Sequence, residues 1–179
     1  MDRNPKLKKV FAPLVALLAS LSVAQFSANA TPPSNISFTP VGRATLPEFD
    51  VKRRVKNLDM DKDVDWEMRL EARQPIDVAT QIVTFQPGGY SGWHTHPGPV
   101  FFTVRTGTLT VYEGDDPRCT ALVFPAGTGA VEAGSNTHVH MVRNETNSVA
   151  EAVVTYMVPV GTPQSQLRSD RPDPGNCPF

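Results

Sequence analysis

From Ile76 onward the chain is a succession of short apolar segments, each cut off by a turn, and this punctuation constrains the fold more than any other feature. The segments are Ile76–Phe85, Trp93–His96, Val100–Arg105, Leu109–Tyr112, Ala121–Phe124, Ala130–Ala133, His138–Arg143 and Val149–Val158. Between them lie turn signals such as Gln86-Pro-Gly-Gly89, Pro97-Gly-Pro99, Gly114-Asp-Asp-Pro117 and Gly134-Ser-Asn136. Turn residues at this spacing leave no room for an amphipathic helix, whereas β-branched runs bounded by Pro and Gly suit strands. The fold expected is all-β, a closed or sandwiched antiparallel architecture. Upstream, Ile36–Leu46 is expected to hold a short strand ending at Pro47. Trp66, Met68, Leu70 and Ala72 alternate with charged residues, which predicts a half-buried strand. Arg53–Lys56 shows no apolar face. The alternating aspartates from Asp59 to Asp65 lack the Gly and Glu of a calcium loop, with Val64 and Leu70 in those places, and read as a solvated edge or turn.

All four histidines fall in one window, as His94, His96, His138 and His140. Side chains at i and i+2 share a face of an extended strand, so each pair presents two imidazoles side by side. Neutral imidazoles grouped in this way are a metal-binding pattern.

The first thirty residues stand apart. Arg3, Lys6, Lys8 and Lys9 precede an apolar run from Val10 to Val23, followed by Ala28-Asn-Ala30, a small-x-small cleavage site. This predicts a signal peptide at 1–30, cleavage after Ala30, and a periplasmic or extracellular protein. The run is short of the roughly 20 apolar residues that span a bilayer, so no membrane association is expected after cleavage. Without residues 1–30, 17 Lys+Arg become 13 and 18 Asp+Glu become 17, a net charge of −4. That balance argues against nucleic acid as a partner. Export places Cys119 and Cys177 in an oxidising compartment, where a disulfide between them is expected. It would tie down the Pro- and Gly-rich tail.

The histidine window also resembles the cupin superfamily in its two sequence motifs. Gly88, His94-Thr-His96, Val100 and Gly107 fit the frame of the first motif without a gap, with Val100 where the family has glutamate. Gly129, Ser135-Asn-Thr137, His140 and Asn144 fit the second, with Ser135 and Thr137 in place of proline and glycine. The resemblance covers roughly residues 75–160. It implies a cupin-type jelly-roll β-barrel there, with 31–74 an N-terminal extension carrying edge strands and 161–179 a tail.

It further implies one divalent transition metal held by His94, His96 and His140, with Fe2+ favoured and Mn2+, Zn2+, Cu2+ or Ni2+ as alternatives. His138 is placed in the pocket as a further ligand or donor, ranked below His140. Loss of the Val100 carboxylate would leave a bound ion its full double charge, as in the three-histidine dioxygenases that act on thiols or diketones. Strand parity turns Val100, Phe102 and Val104 inward and Phe101, Thr103 and Arg105 outward. Val100 and Phe102 are therefore candidate lining for a small-molecule substrate or ligand, Tyr156 or its neighbours Thr155 and Met157 are candidates for the far wall, and Tyr90 and Trp93 either gate the mouth or serve packing. Two functions compete: a metal-dependent oxidoreductase of the dioxygenase kind, and a non-catalytic metal- or small-ligand-binding protein. The sequence names no catalytic residue beyond the ligands. Homodimerisation is implied by the resemblance alone.

Overall fold

The computed structural model describes residues 30–56, 65–134 and 138–179. The expected signal peptide, the aspartates from Asp59 to Asp63 and the segment Ser135–Thr137 lie outside them, apart from Ala30. Twelve strands follow in order among the described residues: β1 (Ser34–Leu46), β2 (Phe49–Lys56), β3 (Asp65–Ala72), β4 (Ile76–Tyr90), β5 (His94–Thr95), β6 (Val100–Thr106), β7 (Thr108–Glu113), β8 (Leu122–Pro125), β9 (Gly129–Glu132), β10 (His140–Arg143), β11 (Ala150–Pro159) and β12 (Ser169–Asp170). One short 3-10 turn spans Gln164–Gln166. No helix among the described residues is long and apolar enough to cross a membrane.

Ten strands form a nearly closed antiparallel jelly-roll barrel. One run is β1-β4-β11-β6-β9 and the other is β8-β7-β10-β5-β12, joined where Tyr90 of β4 meets Arg143 of β10. The alternation anticipated from the sequence holds: Val100, Phe102 and Val104 are buried, while Thr103 and Arg105 face solvent. Those buried residues join Val83, Phe85, Leu109, Val111, Val154 and Tyr156 in one core. A smaller cluster packs Trp93, Tyr112 and Met141 against Cys177. Trp93 and Tyr90 therefore take the packing role of the two expected for them. Trp93 is fully buried, and Tyr90 packs on the same cluster beneath the Arg143 guanidinium.

Several strands differ from expectation. β4 runs through Pro87 to Tyr90, because β1 shifts register here: Ser34 faces Tyr90 while Ile36 faces Phe85. The unpaired stretch accommodates a proline that a regular ladder would exclude. Arg53–Lys56 belongs to β2, which pairs with β3 from Phe49–Ala72 to Lys56–Asp65. Phe49–Ala72 and Val51–Leu70 pair on one face of this hairpin, and ion pairs such as Lys52–Glu67, at 3.3 Å, lie on the other. The half-buried alternation expected of β3 holds at Leu70 and Ala72, whereas Met68 is 40% exposed.

Two polar devices fasten the barrel. The Asn144 amide donates to the carbonyls of Phe85, Gln86 and Ser148, and its oxygen accepts from Thr146. Asp77, on β4, accepts from Thr45 (2.6 Å), Arg43 (2.6 Å) and the Gly161 N–H (2.9 Å), linking β1, β4 and the turn after β11. The Thr45 hydroxyl, then Arg43 and Gly161, hold the Asp77 carboxyl at about 2 against an ordinary value of 3.8. A depressed carboxylate contributes stability above its unfolded value and loses it as pH falls through the folded one. The melting temperature is thus expected to fall between about pH 4 and pH 2. Asp77→Asn should flatten that part of the profile, and an unchanged slope in the variant would exclude Asp77 as its source.

Cys119 and Cys177 form a disulfide across 58 residues, with Cα atoms 5.2 Å apart. Closing such a loop is worth about 4 kcal/mol in the chain-entropy model. The tail is also hydrogen-bonded in place, since β12 pairs with β5 through Ser169–Thr95 and Asp170–His94.

Candidate metal centre

β5 and β10 lie side by side in the barrel, and their register sets His140 directly against His94. His96 follows one residue beyond β5. The three imidazoles come together inside the barrel, all buried, and their ligand atoms lie within 4.8 Å of one another. Ring centroids are 4.8 Å apart for His94–His96, 4.4 Å for His94–His140 and 5.2 Å for His96–His140.

Two tautomers are fixed by the backbone. His94 Nδ1 lies 2.9 Å from the Gly92 carbonyl and His96 Nδ1 lies 2.7 Å from the Leu167 carbonyl. Each Nδ1–H donates to its oxygen, which leaves each Nε2 lone pair free to ligate. Burial, reinforced by His140, His96 and Arg168 nearby, keeps His94 neutral well below the ordinary histidine range. Neutral imidazole is the ligating form.

A fourth donor comes from β9, at a position that neither sequence motif specifies. Glu132 Oε2 lies 3.2 Å from His96 Nε2 and 3.2 Å from His140 Nε2. Glu132 sits directly opposite Val100 in the β6–β9 ladder, and opposed residues project to the same face. The carboxylate missing at Val100 is thus supplied by the neighbouring strand. Burial alone would raise the Glu132 carboxyl, but the close approach of the His140 and His96 rings holds it below the usual carboxylate range. A divalent ion at this centre would therefore meet a negative ligand. The expectation of an uncompensated double charge is corrected on that ground.

The arrangement fits a transition metal. Two atoms bound to one ion at about 2.1 Å lie about 3.0 Å apart at a right angle and about 3.4 Å apart at the tetrahedral angle. The 3.2 Å separations fall between these values. Glu132 Oε2 and both ring nitrogens of His140 are buried without a hydrogen bond. Buried polar atoms are seldom left so, and a shared ion would satisfy Oε2 and Nε2 together.

His138 is placed elsewhere. It precedes β10, so strand parity does not govern it, and its Nε2 lies 3.1 Å from Glu113 Oε2. Its ring is 5.5 Å from that of His140, and it is not one of the three converging histidines. Phe102 and Tyr156 line the cavity beside the centre, together with Glu132 and Arg168. Val100 does not: it is 0% exposed and packs in the core behind Glu132. Tyr156 accepts a 2.7 Å hydrogen bond from Gln81, and burial pushes its hydroxyl well above the ordinary range, so the phenol stays protonated. Sequence reasoning missed Glu132, Leu167 and Arg168. For Glu132 a faint signal existed, because it is in phase with Ala130 on a strand whose Val131 is 61% exposed.

Residues 81–156 match the family model described as Cupin domain, and this stretch of the chain is a cupin domain. No curated protein matches the sequence. Among solved structures, an oxalate oxidase in complex with the substrate analogue glycolate is 28% identical with a TM-score of 0.38, over 44% of this chain and 40% of that one. A double-stranded β-helix protein from Klebsiella pneumoniae subsp. pneumoniae MGH 78578 is 18% identical with a TM-score of 0.42, over 52% and 73%. The TT1209 protein from Thermus thermophilus is 24% identical with a TM-score of 0.38, over 46% and 72%. The chain spans less than half the length of the oxalate oxidase chain it matches.

Proposed function

We propose that the protein is a metal-dependent oxidoreductase of the dioxygenase kind, exported from the cytoplasm and acting on a small molecule. The observation that carries this reading is the buried approach of Glu132 Oε2 to His96 and His140, with neither Oε2 nor His140 Nε2 hydrogen-bonded. His94, His96, His140 and Glu132 would hold one divalent ion, with Fe2+ favoured. When bound, such an ion supplies Lewis acidity and open coordination positions for substrate and dioxygen. The chain's own contribution is orientation and exclusion of water. Gly92 and Leu167 aim two imidazoles, Glu132 lowers the charge, and the apolar walls of the cavity keep the centre dry. The protonated Tyr156 hydroxyl offers a hydrogen-bond donor on the cavity wall. The leader-like segment and the Cys119–Cys177 disulfide support export.

Elemental analysis of the purified protein is expected to find about one transition-metal ion per chain, lost in His96→Ala. Iron-loaded protein should consume dioxygen with a member of a panel of diketones, thiols and phenolics. Failure of every metal to bind stoichiometrically, or binding untouched by His96→Ala, would overturn the assignment. Metal binding without oxygen uptake would leave a binding protein.

A further inference from the structure

The three converging imidazoles are not held alike. His94 and His96 each give their Nδ1–H to a backbone carbonyl, that of Gly92 and that of Leu167. Both ring nitrogens of His140 are buried, and neither has a hydrogen bond. Glu132 Oε2 stands 3.2 Å from Nε2, the side on which an ion would be shared, and Nδ1 faces away from that contact. The bond made at one ring nitrogen decides which of the two carries the proton, so His140 is a ligand whose tautomer the backbone does not set.

Across the ladder stands a carboxylate that the metal centre does not use. Glu113, the last residue of β7, is paired with His140 in the β7–β10 register, and paired residues project to one face of the sheet. Its Oε2 is buried and likewise has no hydrogen bond. His138 Nε2 lies 3.1 Å from that oxygen, and the His138 ring is 5.5 Å from the ring of His140. Burial raises the Glu113 carboxyl, while the nearby His138 and His140 rings oppose the rise. The side chains of His138 and Glu113 are 32% and 27% exposed against 1% for His140, so the pair lies on the solvent side of the ligand. Buried polar atoms on directly opposed residues are seldom both left unsatisfied. An imidazole N–H and a carboxylate oxygen match as donor and acceptor. A turn of the carboxyl about its side-chain bonds, or one shared water, closes the contact.

We propose that Glu113, steadied by His138, accepts the Nδ1–H of His140 and so orients that imidazole with its Nε2 lone pair towards the centre. Glu113 does for His140 what the Gly92 and Leu167 carbonyls do for His94 and His96. It is a positioning residue, acting through His140 and touching neither ion nor substrate. The proposal deepens the metal-centre reading and rests on it for the purpose of the contact, not for the contact itself. A ligand histidine that gives its other proton to a carboxylate is better fixed and more basic, and losing such a partner typically costs about 10–100-fold in metal affinity.

The test compares wild type with Glu113→Gln, which removes the charge at constant size, and with His138→Gln, which loosens the carboxylate. Zinc titration against a chromophoric chelator should give a Kd about 10–100-fold weaker in Glu113→Gln, with His138→Gln between it and wild type. Ring 1H–15N spectra of the zinc-loaded wild type should show slowly exchanging Nδ1–H protons for His94, His96 and His140. Glu113→Gln should move the His140 proton upfield and speed its exchange, leaving those of His94 and His96 in place. General destabilisation would move all three together, and that result would overturn the proposal. Should Glu113→Gln fail to fold, wild type still decides: a His140 proton lost to fast exchange while the other two are seen would overturn it. Should wild type bind no zinc, the metal centre falls, and the same His140 shift between the metal-free proteins decides the role of Glu113. Zinc bound equally by wild type and Glu113→Gln, with the His140 proton unmoved, sinks the positioning role and spares the metal centre.

Discussion

Glu132→Gln is expected to weaken binding of a divalent ion by about 100-fold or more, although neither sequence motif specifies a ligand at Glu132. Changing a group that merely supports a ligand typically costs 10–100-fold, and loss of a negatively charged donor should cost no less. The amide keeps the size of the side chain and removes its charge. A competition titration with a chromophoric chelator reads the affinity directly. Because Val100 and Glu132 face each other across β6 and β9, the double variant Val100→Glu/Glu132→Val moves the carboxylate across the ladder to the position the family motif prescribes. It should recover part of the lost affinity. Equal affinity in wild type and Glu132→Gln would mean that the carboxylate is only a hydrogen-bonding neighbour of the histidines.

Gly92→Ala is expected to destabilise the protein by about 2 kcal/mol or more and to disturb the metal centre in the folded fraction. Gly92 has φ +70°, a conformation that costs an L-residue roughly 1–2 kcal/mol. A methyl group there would also overlap the Thr31 carbonyl oxygen. Thr31 cannot move aside cheaply. Its hydroxyl accepts from the Trp93 N–H at 2.7 Å and its N–H donates to the Arg171 carbonyl at 3.0 Å, so it pins the strand entering β5 to the tail. The Gly92 carbonyl is also the acceptor that orients His94. Thermal melts and metal titration of the variant should therefore move together. A variant as stable as wild type with full metal affinity would contradict this account of how β5 is held.

The barrel was legible because a strand's pattern is local. Alternation along Val100, Phe102 and Val104 and the turn residues between segments are properties of neighbouring positions, and they specified strands before any pairing was known. The same holds for the spacing of His94 and His96, since two residues two apart on one strand must share a face. The hairpin of β2 and β3 was only half legible. Its stability comes from pairing between strands and from ion pairs such as Lys52–Glu67, which no single segment displays.

The centre was legible only in part. Spacing and motif frame point to three imidazoles, and Val100 stands where the motif has its carboxylate. Register supplies one from elsewhere, because Glu132 becomes a candidate ligand only once β9 is laid beside β6 with Val100 opposite it. His138 went the other way: parity assumed a strand that starts only at His140. Leu167 and Arg168 enter the site because β12 and the Cys119–Cys177 disulfide fold the tail back over β5, which is distant from it in sequence.

The amino-acid order alone therefore determined antiparallel strands with His94 and His96 on one face, which follow from the two-residue repeat of an extended chain, and the motif resemblance added the barrel. The three-dimensional arrangement decided the negative charge at the centre and the cation on its wall. Contacts between distant segments depend on register and on closure of the tail, and neither is encoded in any one stretch of the chain.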